Sequence, residues 1–141
     1  MTAAPGPTER IRSAVWERGD VSIDVTLGEL PGVVAERGPD AYLVTVREAR
    51  PHVVAVSVAW RDGELVVGAG RRTAMNIVDR PQVTLLWPVT DEHPKHSLLV
   101  DGDARTSEDG AWLHITPTSA ILHRAGGRRR RLEDQRTDDP A

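Results

Sequence analysis

The chain has 141 residues, 39% of them hydrophobic, with a formal net charge of −3 and an isoelectric point near 5.9. That is one domain's worth of core, and the charge balance excludes a global pull toward nucleic acid or an anionic membrane. There is no cysteine, so disulfides, thiolate catalysis and sulfur-ligated metals are excluded together.

The opening MTAAPGPTER lacks the basic-then-apolar layout of a signal peptide, and no apolar run approaches the ~18 residues of a membrane span. A cytoplasmic protein is expected. Lys95 is the single lysine, so nearly every cation is a guanidinium, always charged and suited to bidentate binding of phosphate or carboxylate.

In chain order, residues 1–25 read as an N-terminal extension, with Ile11, Ala14, Val15 and Arg18 at helical spacing ahead of Gly19. A domain over 26–124 follows. Thr26-Leu27-Gly28-Glu29 has the S/T-x-x-E form of a capping box, in which the hydroxyl and the carboxylate each satisfy an end amide. It opens a helix carrying Leu27, Leu30, Val33 and Val34, closed by Gly38-Pro39. The pattern then switches to strands: AYLVTV (41–46), a turn at REARP, HVVAVSVAW (52–60), a D-G hairpin signal, and ELVVGAG (64–70).

The second of these runs alternates Val54, Val56 and Val58 with Ala55, Ser57 and Ala59, one face greasy and the other small enough for something large to lie against it. A short helix from Thr73 to about Asp79 ends before Pro81. QVTLLW (82–87), HSLLVDGDART (96–106) and AWLHITPTSAILHR (111–124) supply the remaining strands. Six or seven antiparallel strands with two helices predict a mainly β fold, a small barrel or a sandwich. Residues 125–141 mix glycine, proline and both charges without apolar periodicity and read as a disordered tail.

GAGRRTAMNIVDRP (68–81) is the strongest candidate site. Phosphate recognition uses outward amides at a helix start, a hydroxyl and guanidinium forks. Arg71, Arg72 and Thr73 carry all three, with Gly68 and Gly70 letting the chain turn and a ligand approach. Thr73 as a plain N-cap beside solvated arginines is the alternative on local sequence. Arg128 to Arg131 sit among acids that neutralise them, so no nucleic-acid partner is expected. His93 and His96 have a metal-like spacing broken by Pro94 and lack accompanying carboxylates, so no metal is expected. His114 and His123 fall on late strands, as pocket residues or as ordinary half-buried histidines. G-x-S-x-G and G-x-G-x-x-G are both absent.

The run AYLVTVREARPHVVAVSVAWRDGELVVGAGRRTAMNIVDRPQVTLLWP resembles the pyridoxamine 5′-phosphate oxidase-like split-barrel proteins, the superfamily of FMN- and deazaflavin-dependent oxidoreductases. The likeness covers residues from about 27 to 124. It rests on an ordered set: a first helix, RPHVV, a D-G hairpin, an apolar strand entering a basic loop, a short helix with Asn76-Ile77, and P-x-V-x-L-L.

The resemblance implies a split β-barrel homodimer with a flavin in each of two interface grooves. It implies an oxidoreductase exchanging hydride with a small substrate, with FMN as cofactor, or alternatively a deazaflavin coenzyme or haem, or a non-catalytic binding protein on the same fold. By position it implies cofactor contacts from His52, Val54 and Ser57, from Val67 and Gly68, from Arg71, Arg72 and Thr73 at the phosphate, and from Trp87. Two departures stand out: Thr73 and Ser57 occupy positions where flavin-binding members commonly carry lysine. The C-terminal arginine–histidine substrate motif of the vitamin-forming oxidase is not visible, so that reaction is not expected.

Overall fold

A computed structural model describes residues 21–124. The helix expected near residues 11–18 and the tail from 125 onward lie outside the described residues. In order come β1 (Val21–Val25), α1 (Leu30–Arg37), β2 (Asp40–Arg47), β3 (Arg50–Arg61), β4 (Glu64–Gly68), α2 (Arg71–Asp79), β5 (Gln82–Trp87), β6 (Ser97–Thr106) and β7 (Trp112–Arg124). All neighbouring strands are antiparallel, in the order β1-β7-β4-β3-β2-β5-β6, and a further β6–β7 pairing closes six of them into a barrel. β1 lies outside that ring, paired with Ala120–Arg124 at the end of β7. It falls within the stretch expected as an extension.

The period-2 alternation of the strands decides what lies inside. Leu43, Leu65, Val67, Leu85, Leu98, Val100, Leu113 and Ile115 are fully buried and fill the interior, so the barrel encloses a packed core. Trp87 completes it, its indole Nε1 donating to the Gly38 carbonyl at 2.9 Å and tying β5 to the end of α1. Val54, Val56 and Trp60 of β3 pack inward against the same cluster.

The capping box forms, with a shift. Glu29 Oε1 accepts from the Thr26 amide (3.2 Å) and hydroxyl (2.8 Å), while the Glu29 amide donates to Thr26 Oγ1 (3.2 Å). These bonds close a turn over 27–29, and the helix itself starts at Leu30 with Pro31 in its first turn, where a missing amide hydrogen does no harm. Leu27, expected on the helix face, is therefore exposed in the turn.

Two hairpins set the lengths of the central strands. Asp62 (φ 52°) and Gly63 (φ 79°) join β3 to β4, the type I′ geometry that a D-G pair favours. Glu48 (φ 51°) and Ala49 (φ 64°) make an equally tight turn between β2 and β3 without any glycine, and left-handed backbone there costs each L-residue about 1 kcal/mol. β4 pairs with β3 only from Val58 to Arg61. Among the described residues, β3 from Arg50 to Ser57 has a ladder partner on its β2 edge alone. The chain leaves β4 at Gly68, passes Gly70 and enters α2, which packs on β2 and β6.

No helix among the described residues is long and apolar enough to cross a membrane. β6 bulges between Asp101 and Gly102, and a side chain at 102 would meet the Thr116 carbonyl oxygen at 2.6 Å. A β-carbon cannot occupy that space without moving the β6–β7 ladder. Gly102→Ala should lower stability by about 2 kcal/mol or more, read as a drop in the urea midpoint, whereas an unchanged midpoint would show that the closure yields freely.

Candidate functional site

The predicted small face of β3 exists. Ala55, Ser57 and Ala59 are exposed on the outside of the barrel, beside Gly68 at the end of β4. Across the sheet, Gly68 pairs with Trp112 of β7, and a side chain at 68 would meet the Trp112 ring at 3.9 Å. The indole is thus half exposed at one wall of a groove floored by small residues, and His114 and Arg61 also line the groove. The groove has a volume of about 710 Å³, in the range of cofactor and small-ligand sites.

α2 begins two residues earlier than expected. Gly70, in extended conformation, is its N-cap, and the Gly70 carbonyl accepts from the Ala74 amide at 3.0 Å. Arg71 and Arg72 are therefore the first two residues of the helix, both exposed at its electropositive end. Thr73 is not the cap. It stands third in the helix and is buried, 4% exposed, which removes its hydroxyl from the open surface where the two arginines stand.

Of the other expected contacts, Ser57 and Gly68 line the large groove. His52 is half buried and lines a second groove of about 440 Å³ together with Arg72 and Asn76. Val54 and Val67 turn into the barrel core. Trp87 is buried, 1% exposed, and its edge borders a third recess near Tyr42 and His93. The structure thus brings together Ser57 and Gly68 in one groove and His52 and Arg72 in the next, and withdraws Val54 and Val67 from either.

Trp112, Arg47, Arg50 and Asn76 were not legible as site residues. The i, i+2 spacing of Trp112 and His114 was the available signal for one shared strand face. His93 and His96 strap the loop after β5 to the end of α1: His93 Nε2 lies 3.1 Å from the Glu36 carbonyl, and Arg37 donates to the His96 carbonyl at 2.7 Å. Among the described residues no group of three metal-binding side chains exists.

Beside the large groove, Glu64 of β4 accepts two hydrogen bonds from the Arg105 guanidinium of β6, one of them at 2.9 Å, and one from the Thr116 hydroxyl at 3.0 Å. His114 Nδ1 stands 3.9 Å from the same carboxylate. The Arg105 hydrogen bond is the main cause that holds Glu64 down at about 2 from its ordinary 4.5, against a smaller opposing effect of burial. A depressed carboxylate stabilises the fold above its unfolded pKa and loses that contribution as pH falls through its folded one.

No protein-family model matches the chain. Over 102 residues it is 40% identical to the uncharacterized protein Mb0449c of Mycobacterium bovis, across 61% of this chain and 71% of that one. The chain belongs to the family of that protein, and its fold is the pyridoxamine 5′-phosphate oxidase-like split barrel. Solved structures bear out the fold. A candidate pyridoxamine 5′-phosphate oxidase of Listeria innocua aligns with a TM-score of 0.57 at 16% identity, over 69% of this chain and 98% of that one. The FAD binding protein of Mycobacterium smegmatis aligns at 0.53 and 16%, over 74% and 98%. The haem-storage protein HutZ of Vibrio cholerae aligns at 0.52 and 19%, over 69% and 95%.

In this split barrel the Glu64–Arg105 pair stitches β4 to β6 across β7. Glu64→Gln should lower the melting temperature at neutral pH, and the difference should shrink below pH 4.5 and vanish toward about 2. A difference independent of pH would show that the pair carries no titratable stabilisation.

Proposed function

We propose that the chain binds a phosphate-bearing flavin, FMN in the first instance, and works as a cytoplasmic oxidoreductase on a small substrate, with two copies enclosing the cofactor. The observation that carries this reading is the outer face of β3. Ala55, Ser57 and Ala59 leave a flat floor beside Gly68, and Trp112 supplies an aromatic wall. A planar tricyclic ring fits such a floor, because only small side chains let an extended aromatic surface approach a sheet closely. The same face leads through Gly68–Gly70 to the start of α2, where amides, the helix dipole and the Arg71 and Arg72 guanidiniums favour a phosphate. The FAD binding protein of Mycobacterium smegmatis, on the same fold, supports a flavin as the ligand class.

A bound flavin would supply the hydride chemistry. The protein's residues would then position and enclose. Arg71 and Arg72 would hold the phosphate end, Gly68 and the small β3 residues would admit the ring, and Trp112 would border it. His114, which also lines the groove, offers a ring nitrogen for hydrogen bonding to a ligand there. Tyr42, Val53 and Trp112 are large apolar side chains exposed around this face. Their exposure supports a second copy covering it, since lone monomers seldom leave such a band open at a ligand groove.

The test is a visible spectrum of the purified protein with and without added FMN. Flavin peaks that co-migrate with the protein on gel filtration are expected, together with quenching of indole fluorescence that Trp112→Leu reduces. A Soret band would point to haem, and a colourless protein that ignores FMN sinks the proposal. Arg71→Ala with Arg72→Ala should weaken FMN by about 1.5–3 kcal/mol for each charge-assisted hydrogen bond removed. An unchanged dissociation constant would return both arginines to an ordinary solvated helix start.

A further inference from the structure

The third recess lies between the end of α1, the start of β2 and the loop after β5, and takes no part in the proposed flavin site. It has a volume of about 290 Å³ and adjoins the large groove, since Ala55 and Val56 line both. Much of its lining is apolar. Tyr42, 43% exposed, stands opposite Ala55 in the β2–β3 register, and the buried Trp87 and half-buried Pro88 line the recess beside them. Thr90 and His93, in the loop strapped to α1, complete it.

Two opposite charges line the same recess without meeting. Arg37 is the last residue of α1 and Asp40 the first of β2, with Gly38 (φ 82°) and Pro39 turning the chain between them. Among the described residues neither side chain makes an ion pair. Arg37 gives Nη1 to the His96 carbonyl at 2.7 Å, and the exposed Asp40 carboxylate has no partner. Burial holds the Arg37 guanidinium below its ordinary pKa, against a smaller opposing effect of Glu36. A partly desolvated cation with an open fork gains from an anion brought to it.

We infer that this recess binds a small zwitterion, an aromatic α-amino acid, with its ammonium at Asp40, its carboxylate at Arg37 and its ring against Tyr42. Uncommitted groups of both signs suit a ligand that carries both, because a singly charged ligand would leave one of them unpaired. The ring follows from the lining: Tyr42, Ala55, Trp87 and Pro88 offer apolar and aromatic surface against which a ring packs in offset or edge-to-face contact. The volume is at the small end of ligand sites and suits a molecule of amino-acid size. A second copy laid over Tyr42 would roof the recess as it would the large groove. The inference goes beyond the flavin reading and does not depend on it.

Isothermal titration of the full chain, without flavin, compares L-phenylalanine with phenethylamine, which lacks the carboxylate, and with phenylpropionate, which lacks the ammonium. L-Phenylalanine should bind at least about threefold more tightly than either, the scale of one solvent-exposed ion pair. Asp40→Asn should remove its advantage over phenylpropionate while leaving phenylpropionate affinity unchanged. Arg37→Gln, whose amide can still donate to the His96 carbonyl, should remove its advantage over phenethylamine. Tyr42→Ala should weaken all three, and circular dichroism melts verify that each variant is folded.

Equal affinity for the three ligands overturns the inference, as does an absence of L-phenylalanine binding at millimolar concentration, or an Asp40→Asn loss shared by phenylpropionate. A parallel titration with FMN separates the two readings. L-Phenylalanine binding without FMN binding leaves the recess standing and removes the flavin. FMN binding without L-phenylalanine binding does the reverse.

Discussion

Closure of the sheet through β7 is the constraint on which the rest of the structure depends. β7 pairs with β6 along almost its whole length on one edge, and shares its other edge between β4 and β1. Once the ring is closed, every inward side chain must be apolar and every opening must be filled, because an antiparallel barrel of this size has room only for its own side chains. Gly102 is where that closure is tightest, with the Thr116 carbonyl oxygen occupying the place of a side chain. The chemistry of the molecule is consequently on the outside of the barrel.

The outside is not uniform, because the strands differ in length. β3 runs for 12 residues and β4 for five. Among the described residues, the unequal hairpin leaves one edge of β3 from Arg50 to Ser57 without a strand beside it, and the chain leaves the sheet midway. Gly68, Ala69 and Gly70 turn it toward α2, so the electropositive helix end lies beside the exposed small face. The shortness of β4 thus brings a cationic helix start, a flat floor and an aromatic wall into one neighbourhood. The composition of the chain suits this arrangement: with a single lysine, its cations are almost all forks, and the turn and the helix that meet at the second groove both present them.

Much of the fold was legible along the chain. The limits of QVTLLW match β5 outright, and the other predicted strands lie within two residues of the observed ones, because alternation of valine and leucine with polar residues is a direct image of the pleat. The D-G hairpin was legible from φ preferences alone. β1 was not, since VSIDV acquires its meaning only from pairing with β7, some hundred residues away. The start of α2 was displaced because Thr73 is a stronger capping residue than Gly70 by side-chain chemistry, while packing on β2 draws Thr73 and Asn76 inward and hands the cap to glycine. At the site, Ser57, Gly68 and Arg72 were legible as residues of grooves, whereas Val54 and Val67 proved to be core.

What the sequence by itself determined is local and periodic: the strand alternation, the small face of β3, the tight hairpins, and a basic stretch ahead of a short helix. These follow from backbone sterics and side-chain volume within a few residues. What only the tertiary structure decided is convergence. Trp112 meets Gly68 across 44 residues of sequence, and Arg47 and Arg50 meet Arg72 and Asn76, only because closure of the barrel places β7 beside β4 and α2 beside β2. Whether a guanidinium is a solvated surface group or part of an anion site depends on what faces it across such a gap, and no local pattern of residues records that.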